Sequence, residues 1–219
     1  MPTIVIASPK GGAGKSTTAV ILGTELAHEG VPVTMLDCDP NHSLTLWSEK
    51  STLPDRMAVL SGISEADIVR TIKNHDTDGQ VVIVDLEGVA SRLVSRAISQ
   101  ADLVLTPMRA TTLDATIGSR ALQLIREEEE ALDRSIPHAV VFMMTKAIRS
   151  KQHSGIEDSL RSQNVDLIDP PLMERAAFSG LFAFGGDLHS MLAQGNMESA
   201  RANARAFAEQ VYHRLAKGN

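Results

Sequence analysis

Short apolar runs rich in Val, Ile and Leu recur along the chain at 3–7, 32–36, 81–84, 103–106 and 139–144. Runs of this length, continuous rather than alternating with polar residues, predict strands covered on both faces, as in a parallel sheet. Between them the apolar positions recur every three or four residues, which predicts helices over 15–29, 65–75, 93–99, 113–131 and 154–163. Gly30 stands where a glycine ends the first of these. A last helix over 197–215 carries Ala200, Ala204, Phe207, Val211 and Leu215 on one stripe, spaced to pack onto the sheet. Strands and helices in alternation imply right-handed βαβ crossovers. The expectation is an α/β fold with a single doubly wound, mostly parallel sheet, helices on both faces, and residues 1–219 forming one domain.

Composition narrows the class. With 43% hydrophobic and 22% charged residues, the 219-residue chain has the make-up of an ordinary globule, which excludes disorder and fibre. No apolar run approaches the roughly 20 residues that cross a bilayer, and residues 1–6 lack the basic flank and apolar length of a signal peptide. A cytoplasmic protein is expected. The lone Cys38 offers neither a disulfide nor a thiolate pair for a metal and reads as a small core residue. A net charge of −6 argues against a protein that coats nucleic acid at all times. The charge is uneven, however: 12 Lys or Arg face 19 Asp or Glu up to residue 145, and 9 face 8 beyond it. Any surface for phosphates is therefore expected in the last third.

Directly after the first strand comes Ser8-Pro9-Lys10-Gly11-Gly12-Ala13-Gly14-Lys15-Ser16-Thr17, and then a helix. Strand, glycine loop and helix in that order form the setting of a P-loop. Its glycines let successive amides point inward at phosphate oxygens, and the positive end of the helix adds to the attraction. Gly11, Gly12, Ala13, Gly14, Lys15, Ser16 and Thr17 are thus candidate nucleotide ligands. Lys15 reaches the β- and γ-phosphates and Ser16 ligates Mg2+. The plain pattern has its first glycine at position 9, where this chain has Pro9, and the loop holds a second lysine, Lys10. Lys10 is poorly placed to duplicate Lys15. It is placed to reach a nucleotide held by a facing subunit, acting in trans as an arginine finger does.

Two further runs end in acids: Asp37-Cys38-Asp39-Pro40-Asn41 and Asp85-Leu86-Glu87-Gly88. Strand C-terminal ends are where a doubly wound sheet forms its ligand crevice. Asp37, Asp39 and Asp85 can converge there beside Ser16, serving Mg2+ and the attacking water. Asp37 and Asp39 point to one side because a strand alternates. Gly88 lets its loop follow the γ-phosphate and relax after hydrolysis. After the fifth strand, Lys146 is a candidate on the nucleotide side, and Ile148 stands where a guanine site needs an acid, which favours ATP.

The loop 10–16, the Asp37-x-Asp39-Pro40 element and the Val84-Asp85 strand end together resemble the ParA/MinD family of deviant Walker P-loop ATPases. Thr106-Pro107 followed by Leu113-Asp114 is similar to the family's loop after its next strand, and Asn41 stands where many members have glutamine. The chain looks most like short ParA-type plasmid partition proteins. That resemblance implies Lys10 as the signature lysine, catalytic alongside Lys15 and Asp39, with Ser16, Asp37 and Asp85 in the metal shell. It implies an ATP-dependent homodimer that binds DNA non-specifically, sits on the nucleoid when ATP-bound, and is stimulated by a centromere-binding or cargo adaptor. The basic residues available for DNA are Lys146, Arg149, Lys151, Arg175, Arg201 and Arg205. A membrane-cycling relative of the MinD type is disfavoured, because the last helix has an alanine-rich stripe with few bulky residues and no stable membrane insertion is expected. A nitrogenase-reductase relative is excluded by the missing cysteines. Positioning of a protein cargo and assistance in DNA transfer stay open as alternatives.

Overall fold

The apolar runs do form one sheet. In a computed structural model that describes residues 2–75, 79–88, 91–192 and 195–217, eight strands pair in the order β3-β2-β4-β1-β5-β6-β7, with β8 also on β6. They are β1 (Thr3–Ile6), β2 (Val33–Cys38), β3 (Met57–Leu60), β4 (Val81–Leu86), β5 (Leu103–Arg109), β6 (His138–Thr145), β7 (Asp166–Leu167) and β8 (Leu172–Met173). Every ladder among the described residues is parallel. β1 lies between β4 and β5, so the chain winds one way from β1 to β3 and the other way from β4 onward. The direction changes at β1, and that is where such sheets open a crevice.

Alternation along the strands separates two apolar layers. Ile4 and Ile6 face a layer with α1 (Lys15–His28), α2 (Ser43–Glu49), α7 (Ala176–Phe184) and α8 (Met197–Lys217). Val5 and Ala7 face the other, with α3 (Ile68–His75), α4 (Arg92–Ile98), α5 (Thr112–Leu132) and α6 (Lys151–Ser162). Ala19, Val20, Ile21 and Leu22 are all wholly buried, because the sheet, α2, α7 and α8 surround α1. Burying each large apolar side chain contributes about 1.5–3 kcal/mol, so α1 is anchored along its length. At its end the Gly30 amide bonds Ala27 O and the Val31 amide bonds Leu26 O, the paired bonds of a Schellman cap. The final helix buries the expected stripe, but it rests chiefly on α1 and on β8.

Four of the five expected strands run further at their C-terminal ends, with β2 reaching Cys38 and β4 reaching Leu86, while β1 stops at Ile6, one residue short. That extension matters, because it carries Asp37 and Asp85 into parallel register as neighbours.

Candidate active site

The loop between β1 and α1 takes the form its glycines permit. Gly12 and Gly14 have φ of +71° and +96°, in the left-handed region that side chains rarely adopt. Gly14 is also the N-cap of α1, and a Cβ there would lie 2.8 Å from the Met143 methyl on β6. The loop is therefore pressed against the sheet end. Lys15 is buried, with Nζ 3.5 Å from the Lys10 carbonyl, which folds it back over the loop. Thr18 donates its hydroxyl to Gly14 O at 2.8 Å and holds the first turn of α1.

These groups open onto a cavity of about 480 Å³ lined by Gly11, Gly12, Gly14, Lys15, Ser16, Thr17, Asp39, Asn41, Glu87 and Phe182, among others. A larger hollow of about 620 Å³ lies at the far end of α1, between Glu25, Glu29, Arg205 and Tyr212. It has acids where phosphate binding needs inward amides, so the chemistry belongs to the loop cavity.

The four carboxylates near the loop are held differently. Asp37 has both oxygens occupied. The Thr45 amide and hydroxyl donate to Oδ2 at 2.8 and 2.6 Å, and the Asp39 amide approaches Oδ1 at 3.3 Å. Asp37, which the sequence assigns to the metal shell, here fixes the start of α2 to the end of β2 through these bonds. Asp39 uses Oδ1 to accept from the Asn41 amide and side chain, at 2.9 and 2.8 Å, and so keeps one oxygen for the cavity. Asp85 is wholly buried with neither oxygen bonded among the described residues. Burial pushes its pKa up to about 7, opposed by the Ser16 hydroxyl and the Lys15 charge and reinforced by Asp37 and Asp39. Glu87 lines the cavity half-buried.

An orphaned buried carboxylate beside a serine hydroxyl and a lysine fits a divalent cation, because the ion replaces the missing donors. Ser16 and Asp85 are the residues that would hold Mg2+. Cys38 is no rival ligand. Burial, with the charges of Asp37 and Asp85, pushes its thiol up to about 12, so it stays protonated in the core.

Lys10 does not line the cavity. Its ammonium pairs with Asp114 at the first turn of α5, and Asp114 is buried while Lys10 is one-third exposed. Thr111 caps that turn by accepting the Asp114 amide at 3.1 Å. Nothing was assigned to Asp114 from the sequence, although Thr111-x-x-Asp114 is a helix-start pattern that predicts an ordered turn there. Gly88 lies so close that a Cβ would sit 3.2 Å from Gly11 N and 3.5 Å from Lys15 Nζ. The β4 end thus touches the phosphate loop directly.

The basic residues of the last third are mostly engaged. Arg149 pairs with Glu157 and Asp169, Arg205 with Glu29, and Arg201 donates to Leu188 O at 2.6 Å. Arg175 rests its guanidinium on the Met173 sulfur. Lys146 and Lys151 are exposed and unpaired among the described residues, and Lys146 lies outside the lining of the loop cavity.

Comparison with known proteins places this site in context. The family model described as VirC1 protein matches residues 1–215. A protein named ParA from Rhizobium radiobacter is 64% identical over 217 residues, covering 98% of both chains. A protein named virC1 from the same organism is 28% identical over 220 residues, covering 96% of this chain and 94% of its own. Among solved structures, an ATP complex of an aspartate-to-alanine variant of Cyanothece McdA superposes with a TM-score of 0.77 at 19% identity, over 97% of this chain and 96% of that one. The MinD cell division protein of Aquifex aeolicus superposes with a TM-score of 0.72 at 19% identity, over 97% of each. At these identities the two structures establish the P-loop fold.

Proposed function

This chain belongs to the VirC1 family of ParA-type P-loop ATPases, and from that premise we propose that it is an ATP-driven switch for DNA segregation. A single domain binds ATP with Mg2+, closes into a sandwich dimer, holds DNA without sequence preference, and releases it when an adaptor stimulates hydrolysis. In this reading the protein is cytoplasmic and joins the nucleoid when ATP-bound. Among the described residues no helix is long and apolar enough to cross a membrane.

The observation that carries this reading is Lys10. It sits at the mouth of the phosphate loop yet is turned away from the chain's own cavity and held by Asp114. A cation parked beside the site, on a partner it can exchange, suits delivery to a facing subunit's triphosphate. There it would neutralise charge developing on the transferred phosphoryl group. In this reading Lys15 and the loop amides hold the β- and γ-phosphates, and the unbonded oxygen of Asp39 is available to the attacking water. When bound, Mg2+ supplies charge neutralisation at the phosphates. Gly88, packed on Gly11 and near Lys15, responds to what the loop holds.

The test is retention on non-specific duplex DNA at moderate salt with ATP and Mg2+, with ADP, and without nucleotide. Retention only with ATP, lost in Lys10→Ala, is expected. Binding should fall steeply with salt, because phosphate contacts release counterions. Retention in no state would remove the DNA step.

A second reading is favoured by one specific observation. Arg149, Arg175, Arg201 and Arg205 are already bound within the chain, which thins the surface left for DNA. Relatives named for maintenance of carboxysome distribution also match, one from Synechococcus elongatus at 27% identity over 168 residues. Positioning of a protein cargo is that alternative, and an ATP-dependent dimer without DNA retention would select it.

A further inference from the structure

Counting lone pairs on the carboxylates leaves one acid with no assigned task. An ionised carboxylate offers about four acceptor sites. Those of Asp37 go to Thr45 and Asp39, and one oxygen of Asp39 is taken by Asn41. Asp85 is enclosed beside Ser16. Glu87 alone among the four lines the cavity with no hydrogen bond or ion pair among the described residues.

Its position along the phosphates follows from its neighbour. Gly88 approaches Gly11 N, the Lys10 carbonyl carbon and Lys15 Nζ. A P-loop lysine reaches the β- and γ-phosphates, so the residue next to Gly88 borders the γ end. A negative side chain facing a polyphosphate is unfavourable unless something between them donates a hydrogen bond to each. The attacking water has two O–H groups and can donate to both while its lone pair stays free.

We propose that Glu87 orients the attacking water, working from the β4 end in the cavity that Asp39 also lines. It accepts a hydrogen bond from that water and aims the oxygen lone pair at the γ-phosphorus. The water oxygen then forms a bond to phosphorus, and the bond from phosphorus to the bridging oxygen breaks. That electron pair leaves on ADP, and the protons of the water stay with the phosphate product. The inference rests on the reading of this chain as an ATP hydrolase.

The experiment compares full-length parent, Glu87→Gln and Glu87→Ala in two measurements: affinity for a fluorescent ATP analogue, and single-turnover hydrolysis of ATP. In Glu87→Ala, hydrolysis is expected to fall about 100-fold, the scale on which a reactant misplaced by about 1 Å loses rate. Affinity should be unchanged or tighter, because a negative charge has left the phosphate cavity. Glu87→Gln keeps an acceptor oxygen of the same reach and should recover much of the rate. Hydrolysis by Glu87→Ala at the parent's rate would overturn the proposal. So would a parallel loss of affinity and rate in both variants, which would make Glu87 a structural support of the loop. A parent that binds the analogue but never hydrolyses ATP would instead defeat the hydrolase reading, and the role of Glu87 with it.

Discussion

Replacing Asp85 by asparagine tests whether this carboxylate exists for a cation rather than for the fold. It is wholly buried, with the Ser16 hydroxyl beside it but no well-formed hydrogen bond on either oxygen, and burial raises its pKa from 3.8 to about 7. Because the folded value exceeds the unfolded one, its contribution to stability is complete below pH 3.8 and is lost as pH rises through about 7. At about 1.4 kcal/mol per pKa unit the whole loss is about 4 kcal/mol, and about 2 kcal/mol of it falls between about pH 5.5 and pH 8. Asparagine removes the charge but leaves an amide without partners, which costs about 1–3 kcal/mol. Without Mg2+ and nucleotide, Asp85→Asn is therefore expected to be about 1–3 kcal/mol more stable than the parent near pH 8, with a flatter pH dependence. Urea unfolding in a chelator, followed by fluorescence of the buried and only tryptophan, Trp47, gives both quantities. With Mg2+ and ATP the order should reverse, since only the parent gains ligand-linked stability. A variant no more stable than the parent at pH 8, with the same slope, would refute this account of Asp85.

Three further substitutions test the loop and its lysine. Lys10→Ala leaves the buried Asp114 charged and alone, costing about 1–3 kcal/mol, whereas Asp114→Asn leaves no buried charge and should cost less; urea midpoints rank the two, and equal costs would deny the ion pair its role. Gly14→Ala forces a side chain into φ +96° and onto the Met143 methyl, so ATP-analogue binding should be lost with a destabilisation of about 1–3 kcal/mol, measured by titration and thermal midpoint.

What could be read in advance follows how local each signal is. The phosphate loop is a contiguous motif between a buried strand and a helix, so Gly11 to Thr17 could be assigned from order alone. The central strands were visible because burial on both faces leaves unbroken apolar runs. β3 was not, although Met57–Leu60 is an unbroken apolar run: it is an edge strand only partly buried, and nothing local in four residues separates it from a loop. α7 escaped for the opposite reason: Ala176–Phe184 is apolar almost all round, being packed against α1, α2 and α8, and so shows no helical period. The pairing of Lys10 with Asp114 joins residues 104 positions apart, and the capture of Asp37 by Thr45 depends on α2, a helix of seven residues that had not been recognised. A charged residue's type can be read from sequence, but whether its hydrogen bonds are already spent depends on which distant donors the topology brings to it.

The same bookkeeping shows how the phosphate site is tied to the opposite end of α1. Asp37 fixes the start of α2 through Thr45. Farther along α2, Trp47 donates its indole N–H to Gly186 O at 2.8 Å, and just beyond its end Ser51 accepts the Gly186 amide at 2.7 Å. Gly185, at φ +76°, lies against the Lys50 carbonyl with no room for a side chain. These residues follow α7 directly, and α7 places Phe182 in the wall of the phosphate cavity. Immediately after them, Asp187 meets His28 at 2.9 Å and His189 meets the buried Glu25 at 3.0 Å, with the two imidazole centroids 4.2 Å apart. α1 begins at Lys15 beside the phosphates and carries Glu25 and His28 near its end. The cavity and the histidine pair are thus joined twice, once along a rigid, buried helix and once through α2, α7 and the 185–189 turn. The 185–189 turn is thus tied to α1 by two carboxylate–imidazole contacts and by Leu188, which is wholly buried in the same apolar layer.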